Sequence, residues 1–438
     1  MIDKRKKIIK IICYLFLLHP VFWLLGIDQI VWLTFPIILG IYAYFNNIKL
    51  KVPFILILFL IVNLLSGLAI PFEVHPWFYL PLFFYKLLAI TSAIITFTLI
   101  YNLVNEISLM EKIMKFIIYN VFISVVVSMF FTTFLKKVIA FEAPLHYLLP
   151  GFLLKRGIVQ GMLNKSLCVY GWFLGEKVCR LSGFFRYANT LADAIIVAAP
   201  FSIYFLKNKK SYVLIFLILV SGLILTTSRA GIASFLIGLL VYTTFVTFRN
   251  FYFSVSVILF VFLMFCFAFF AFPSFNSYVI HKFKKIKEEV LEARTIKGRE
   301  SIYEKTWRYI EKRPFLGWGT NRRFYEFETL NIKIPHPYLG SHSGYLSILF
   351  RNGIIGLFIF ILFLSKLGII IVKKLLYEKD DRIYYLTCAL LFGYLGLALH
   401  LLFLDNMHDF ILLNLNWTLW GLIAALENIK TEPTRVEK

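Results

Sequence analysis

The sequence predicts an all-α integral membrane protein of about twelve transmembrane helices with a helical loop domain on its outer face. Three observations predict it. Hydrophobic residues make up 60% of the 438-residue chain and charged residues only 16%. The mean hydropathy of +0.79 lies far above that of soluble domains. The apolar runs last about twenty residues, the length that crosses a hydrocarbon core as a helix, and do not alternate over about ten as barrel strands do. A helix also satisfies its own backbone hydrogen bonds within one segment, as the bilayer requires.

The expected spans are 8–26, 29–46, 53–71, 77–101, 113–135, 188–206, 211–227, 230–247, 251–272, 343–372, 384–404 and 409–427. The basic start MIDKRKKIIK is followed by no small-residue cleavage site, so the first span is expected to be a retained anchor. Residues 1–135 form an N-terminal transmembrane scaffold of five spans with few polar residues, and 136–187 form a first outer segment. That segment contains HYLLPGFLLKRG and YGWFLGEK, whose glycines and proline predict short re-entrant or interfacial pieces. It closes on CRLSGFFRYANTLAD, which brings Arg180, Arg186 and Asn189 to the mouth of the sixth span. Residues 188–272 hold the four spans of the transmembrane core.

Residues 273–342 are the large outer loop. HKFKKIKEEVLEART and GRESIYEKTWRYIEKRP read as amphipathic helices, the second with Tyr303, Trp307 and Ile310 on one face. Pro314 ends it and FLGWGTNRRF makes a glycine-rich turn, so the loop is expected to lie on the membrane as a lid. Residues 343–438 complete the chain with three spans and a cytoplasmic tail.

Orientation follows from the short loops. MIDKRKK, NNIKLK, Lys207 to Lys210 and Lys373 to Arg382 fall on one side when the spans alternate, and basic short loops mark the cytoplasm. The remaining excess charge is outside. Residues 136–187 carry eight Lys or Arg against two Glu, and 273–342 carry fourteen against eight, so each is +6 within a total of +22. Either anionic headgroups or an anionic substrate accounts for this charge. Nucleic acid does not, because outward loops of a membrane protein meet none. Of the five cysteines, Cys13, Cys266 and Cys388 lie in spans and read as packing residues. Cys168 and Cys179 share the first outer segment, where an oxidising compartment permits a disulfide that spacing alone leaves open.

Arg229, in TTSRAGIASFL, sits between two spans with almost no loop. A guanidinium there is costly unless paired or hydrated, so Arg229 is either a site residue or one that snorkels to the interface. Arg299 opens the second amphipathic helix one turn before Tyr303. His342, in SHSGYLSILFRNGIIGL, is the group suited to move a proton near neutral pH, with an ordinary pKa of about 6.5; the alternative is a polar helix cap. His336 lies between prolines in a turn, and His408 with Asp405 and Asp409 only weakly resembles a metal patch. There is no nucleotide-binding glycine loop and no cysteine pair at zinc spacing. A reaction on the outer face cannot draw on ATP, so its donor must arrive activated.

His342, Ser343, nine residues, Gly353, two residues and Gly356 together resemble a motif of the O-antigen ligase and O-antigen polymerase superfamily. RLSGFFRYANTLAD, TTSRAG and GRESIYEKTWRYIEKRPFLGWG resemble three further motifs of that family, over roughly residues 180–360. Ser343 stands where the family commonly has Asn, and Ala230 where it commonly has Gly.

The resemblance implies a metal-independent, inverting GT-C glycosyltransferase in the bacterial inner membrane with a periplasmic active site and no cofactor. Its donor would be a glycan on undecaprenyl pyrophosphate, and its acceptor a sugar hydroxyl of the lipid A core. Arg229 and Arg299 would hold the pyrophosphate, His342 would take the acceptor proton, and Arg180, Arg186, Asn189 and Tyr303 would bind substrate. A polymerase of the same superfamily, a ligase for protein acceptors and a lipid-linked sugar flippase are the rival expectations. The notable charges gather at one outer face, which disfavours transport.

Overall fold

The computed structural model describes residues 2–72, 76–135, 138–154, 157–173, 176–207, 209–249, 294–320, 343–405 and 409–429. Within them the chain is a bundle of apolar helices. The first five are α1 (Ile2–Leu25), α2 (Asp28–Phe45), α3 (Phe54–Ser66), α4 (Pro76–Leu103) and α5 (Ile107–Met129). Two short helices, α6 (Gly151–Leu154) and α7 (Gly157–Leu163), belong to the segment that follows. Then come α8 (Ala188–Leu206), α9 (Tyr212–Leu225), α10 (Arg229–Arg249), the amphipathic α11 (Arg294–Ile310), α12 (Gly344–Tyr377), α13 (Asp381–His400) and α14 (Phe410–Ala425).

Among the described residues eight helices are long and apolar enough to cross a membrane, namely α1, α2, α4, α5, α8, α10, α12 and α13. α3, α9 and α14 are shorter apolar helices at expected span positions. The expected span 251–272 lies outside the described residues.

Helix burial follows composition. α8 and α14 are apolar around most of their circumference and are buried accordingly: every residue of α14 is buried, and 89% of the α8 span is. α8 packs on α5, α9, α10 and α13, while α14 packs chiefly on α4. Helices at the periphery turn large side chains outward, among them Ile38, Phe45, Leu240 and Phe358, as a lipid-facing surface does.

Several expectations need correction. The segment 136–187 is not all helical, so the chain as a whole is not all-α. Short strands β1 (Ala140–Glu142) and β2 (Asn164–Ser166) pair antiparallel, as do β3 (Cys168–Phe173) and β4 (Glu176–Leu181). The β3 sequence CVYGWF is rich in β-branched and aromatic residues, which suit a pleated ribbon. Cys168 and Cys179 are joined as a disulfide across this ribbon.

The buried face of α11 is Ile302, Thr306 and Ile310, with Tyr303 half-buried, whereas Trp307 is 52% exposed. Trp307, one turn beyond Tyr303 at the edge of this stripe, falls on the side away from Ile302 and Thr306. α12 is also not one straight span, because Gly353 breaks it with φ +65°.

The bundle ends differ in character. At one end Arg249 pairs with Asp381 at 2.7 Å and Arg382 with Glu111 at 2.9 Å, beside the short basic connections. At the other end gather the β-hairpins, the starts of α2, α8, α10, α12 and α14, and the glycine-rich turn after α11.

Candidate functional site

The mouth at this second end is assembled from backbone outward. After α11 the chain turns through Pro314 to Thr320 and lies against α12. Trp318 and Gly319 N–H groups donate to the Phe350 and Arg351 carbonyls at 3.0 and 2.8 Å. Ile354 N–H donates in return to the Pro314 carbonyl at 2.7 Å. The turn adopts left-handed backbone at Gly317 and Gly319. A Cβ at Gly353 would lie 2.1 Å from the Phe315 carbonyl oxygen, so this glycine admits the docked loop. Trp318 stacks on Phe350 and joins Ile302 and Ile310 in a small core, which ties α11 to the first turns of α12.

α12 starts at Ser343, whose hydroxyl caps it by accepting from Leu346 N–H at 3.3 Å. Gly344 N–H donates to the Leu401 carbonyl at 2.7 Å, anchoring this start to the end of α13. His342, the residue before the cap, lies outside the described residues, as do His336 and His408. Arg299 is on α11, but its side chain is likewise outside the description. Tyr303 is half-buried against the α11–α12 core.

Arg229 is the first residue of α10 and is exposed at the bundle end. The turn that carries it, Thr226 to Ser228, is held from the β-hairpin. Arg180 of β4 donates from Nε to the Thr226 carbonyl at 3.0 Å and from Nη2 to Asn189 Oδ1 at 2.7 Å. Three of the residues singled out in the sequence, Arg180, Asn189 and Arg229, therefore meet here, although they come from a strand and two helices.

Arg186 lies farther along the same mouth. Its guanidinium stands over the Tyr187 ring at 5.3 Å, and its backbone N–H donates to Asp409 at 3.4 Å. It helps line a cavity of about 200 Å³ with Trp23, Asp28, Asn164, Lys165 and Tyr187. Lys165 Nζ pairs with Asp28 at 2.6 Å, both groups being buried. Gln29 Nε2 donates to Asp28 and Asp409 at 3.1 and 3.4 Å.

Sequence reasoning missed Asp28 and Gln29 because it treated the first five spans as scaffold, and it counted Lys165 only within the outer basic charge. It also missed Asn352, whose amide donates to Asn63 Oδ1 at 2.9 Å and Ser66 Oγ at 3.3 Å, fixing α12 on α3. An amide and an arginine inside an apolar run were the available signal. A second missed group is the buried pair Asp193 and His400, and an ionisable residue inside each of two spans was its signal. Among the described residues no group of three His, Cys, Asp or Glu side chains is disposed to hold a metal ion.

These features define a polytopic helical membrane protein with a polar mouth, rich in arginine, at one bundle end. Residues 214–361, about a third of the chain, match the family model described as O-antigen ligase, so this stretch is similar to that family. The match spans α9 to the first half of α12 and includes Arg229, Arg299, His342, Gly353 and Gly356. No curated protein matches the chain.

Proposed function

We propose that the protein is an O-antigen ligase of the bacterial inner membrane. It moves a glycan from undecaprenyl pyrophosphate to a sugar hydroxyl of the lipid A core at the periplasmic face. The observation that carries this reading is Arg229, exposed on a turn held by Arg180, itself bonded to Asn189, at the bundle end where α12 begins. That end is the one remote from the short basic loops, hence the periplasmic one.

The mechanism follows from the residues. His342 takes the proton of the acceptor hydroxyl as its oxygen bonds to the anomeric carbon. The bond from that carbon to the pyrophosphate oxygen breaks on the opposite face, so the configuration inverts and the electron pair leaves with the pyrophosphate. Arg229 and Arg299 stabilise that charge through paired N–H donors, as planar guanidinium groups do well. Arg229 also opens a helix, whose N-terminal dipole favours an anion. Two arginines supply the charge that a metal often supplies, so the transfer is metal-independent, in a GT-C architecture. Arg180, Arg186, Asn189 and Tyr303 line the approach of the glycan.

A polymerase of the same superfamily is the second reading, favoured by a first outer segment with a disulfide-linked ribbon of its own. Deleting the gene separates the two. Free lipid A core with accumulated lipid-linked polymer means ligase; a core bearing a single repeat means polymerase, and unchanged lipopolysaccharide contradicts both.

A further inference from the structure

Three buried side chains from separate helices form a line that ends at the turn bearing Arg229. Asp193 of α8 bonds His400 Nδ1 at the end of α13. His400 Nε2 lies 3.5 Å from Ser228 Oγ, at the start of α10. Their exposures of 0%, 1% and 3% keep all three from meeting a substrate. The array therefore does not work as a nucleophile, base and carboxylate in the manner of a hydrolase, despite having those residue types.

One assignment of the protons satisfies these contacts. Ser228 Oγ accepts from Gly231 N–H at 3.2 Å, which caps α10 and leaves the hydroxyl proton to point at His400 Nε2. His400 then carries its proton on Nδ1, towards Asp193. The second oxygen of Asp193 has no hydrogen-bond partner among the described residues. A buried, half-satisfied carboxylate is costly and asks for a reason.

The turn supplies that reason. Thr227, a β-branched residue, is held at φ +51°, a left-handed conformation that such residues adopt only when their surroundings impose it. Thr226 Oγ1 accepts from Ser228 N–H at 3.2 Å, and the Thr226 carbonyl is held by Arg180. Arg180 grips the turn from the hairpin, and His400 meets it from inside the bundle.

We propose that His400 and Asp193 are positioning residues for Arg229. Through Ser228 they fix the strained turn, so that the guanidinium of Arg229 is presented to the pyrophosphate in one orientation. The inference rests on the reading of Arg229 as a pyrophosphate ligand given above.

The test is a double-mutant cycle on the Kd for farnesyl pyrophosphate, a short polyprenyl pyrophosphate, bound to the full-length protein in detergent. His400→Asn keeps a donor near the Nδ1 position for Asp193 but removes the acceptor that faces Ser228. It should weaken binding by about threefold to tenfold and slow transfer by up to about a hundredfold, as small misplacements of a reacting group do. In an Arg229→Lys background it should weaken binding by less than about twofold, because residues acting as one unit are not additive. His400→Gln, which reaches Ser228 again, should recover part of the affinity.

A purely structural role would give independent losses, so multiplicative effects, or none from His400→Asn, overturn the inference while Arg229→Lys stays impaired. Parental affinity in Arg229→Lys, or no binding by the parental protein, overturns the pyrophosphate reading itself and this inference with it. If His400→Asn fails to fold, Ser228→Ala cuts the same link without touching the buried pair and is judged by the same cycle.

Discussion

Replacing Gly353 by alanine should detach the glycine-rich turn from α12. Gly353 has φ +65° and ψ −170°, a region open essentially to glycine alone, and a side chain forced into it costs about 1–3 kcal/mol. The added Cβ would also stand 2.1 Å from the Phe315 carbonyl oxygen, which is backbone and cannot rotate away. Moving that backbone breaks the bonds from Trp318, Gly319 and Ile354 N–H at 3.0, 2.8 and 2.7 Å. Losing two of the three adds about 2 kcal/mol, at roughly 1 kcal/mol net each.

The total, about 3–5 kcal/mol, corresponds to roughly a hundredfold to several-thousandfold faster opening of this contact. Hydrogen–deuterium exchange on peptides covering 314–320 and 350–356 reads it directly, in detergent or nanodiscs. Glycan transfer should fall with it, because the same contact holds α11, with Arg299, beside the start of α12. Gly368→Ala is the control: a Cβ there meets only Tyr394, at 3.5 Å, within a helix, so exchange should be unchanged or slightly slower. Wild-type exchange and transfer in Gly353→Ala would refute the reasoning.

The disulfide between Cys168 and Cys179 closes a loop of sequence separation 11, which constrains the unfolded chain by about 3 kcal/mol. Dithiothreitol or Cys168→Ser should lower the thermal midpoint of the purified protein, and an unchanged midpoint in both would contradict the pairing. For orientation, Tyr147 and Tyr377 are 77% and 78% exposed at opposite ends. A cysteine at 147 should react with an impermeant maleimide in intact spheroplasts and one at 377 only after lysis; the reverse would invert the topology.

The helices were the most legible part of the chain. Each expected span that falls within the described residues coincides with an apolar helix, because a run of some twenty apolar residues leaves the backbone few alternatives in a bilayer. The ribbon of β3 and β4 was hidden by the glycines around it, which suggest irregular chain until the pairing is known. The break at Gly353 is tertiary in origin: nothing in RNGIIG requires it until the Pro314 turn docks there. Arg180, Asn189 and Arg229 were legible as candidates, yet their meeting depends on a strand that had not been expected. Asp193 and His400, 207 positions apart, were legible singly as costly residues within spans. Only the packing of α8 against α13 joins them.

The most direct measurement is transfer by the purified protein, reconstituted with a glycan on undecaprenyl pyrophosphate and lipid A core, in the presence of a chelator. Glycan should appear on the core with one undecaprenyl pyrophosphate released per transfer. His342→Ala should fold and bind the donor while transfer falls by about a hundred- to ten-thousand-fold, the contribution of a positioned base. Parental transfer by His342→Ala across about pH 6 to 9, or lengthening of the lipid-linked glycan with none reaching the core, would contradict the account.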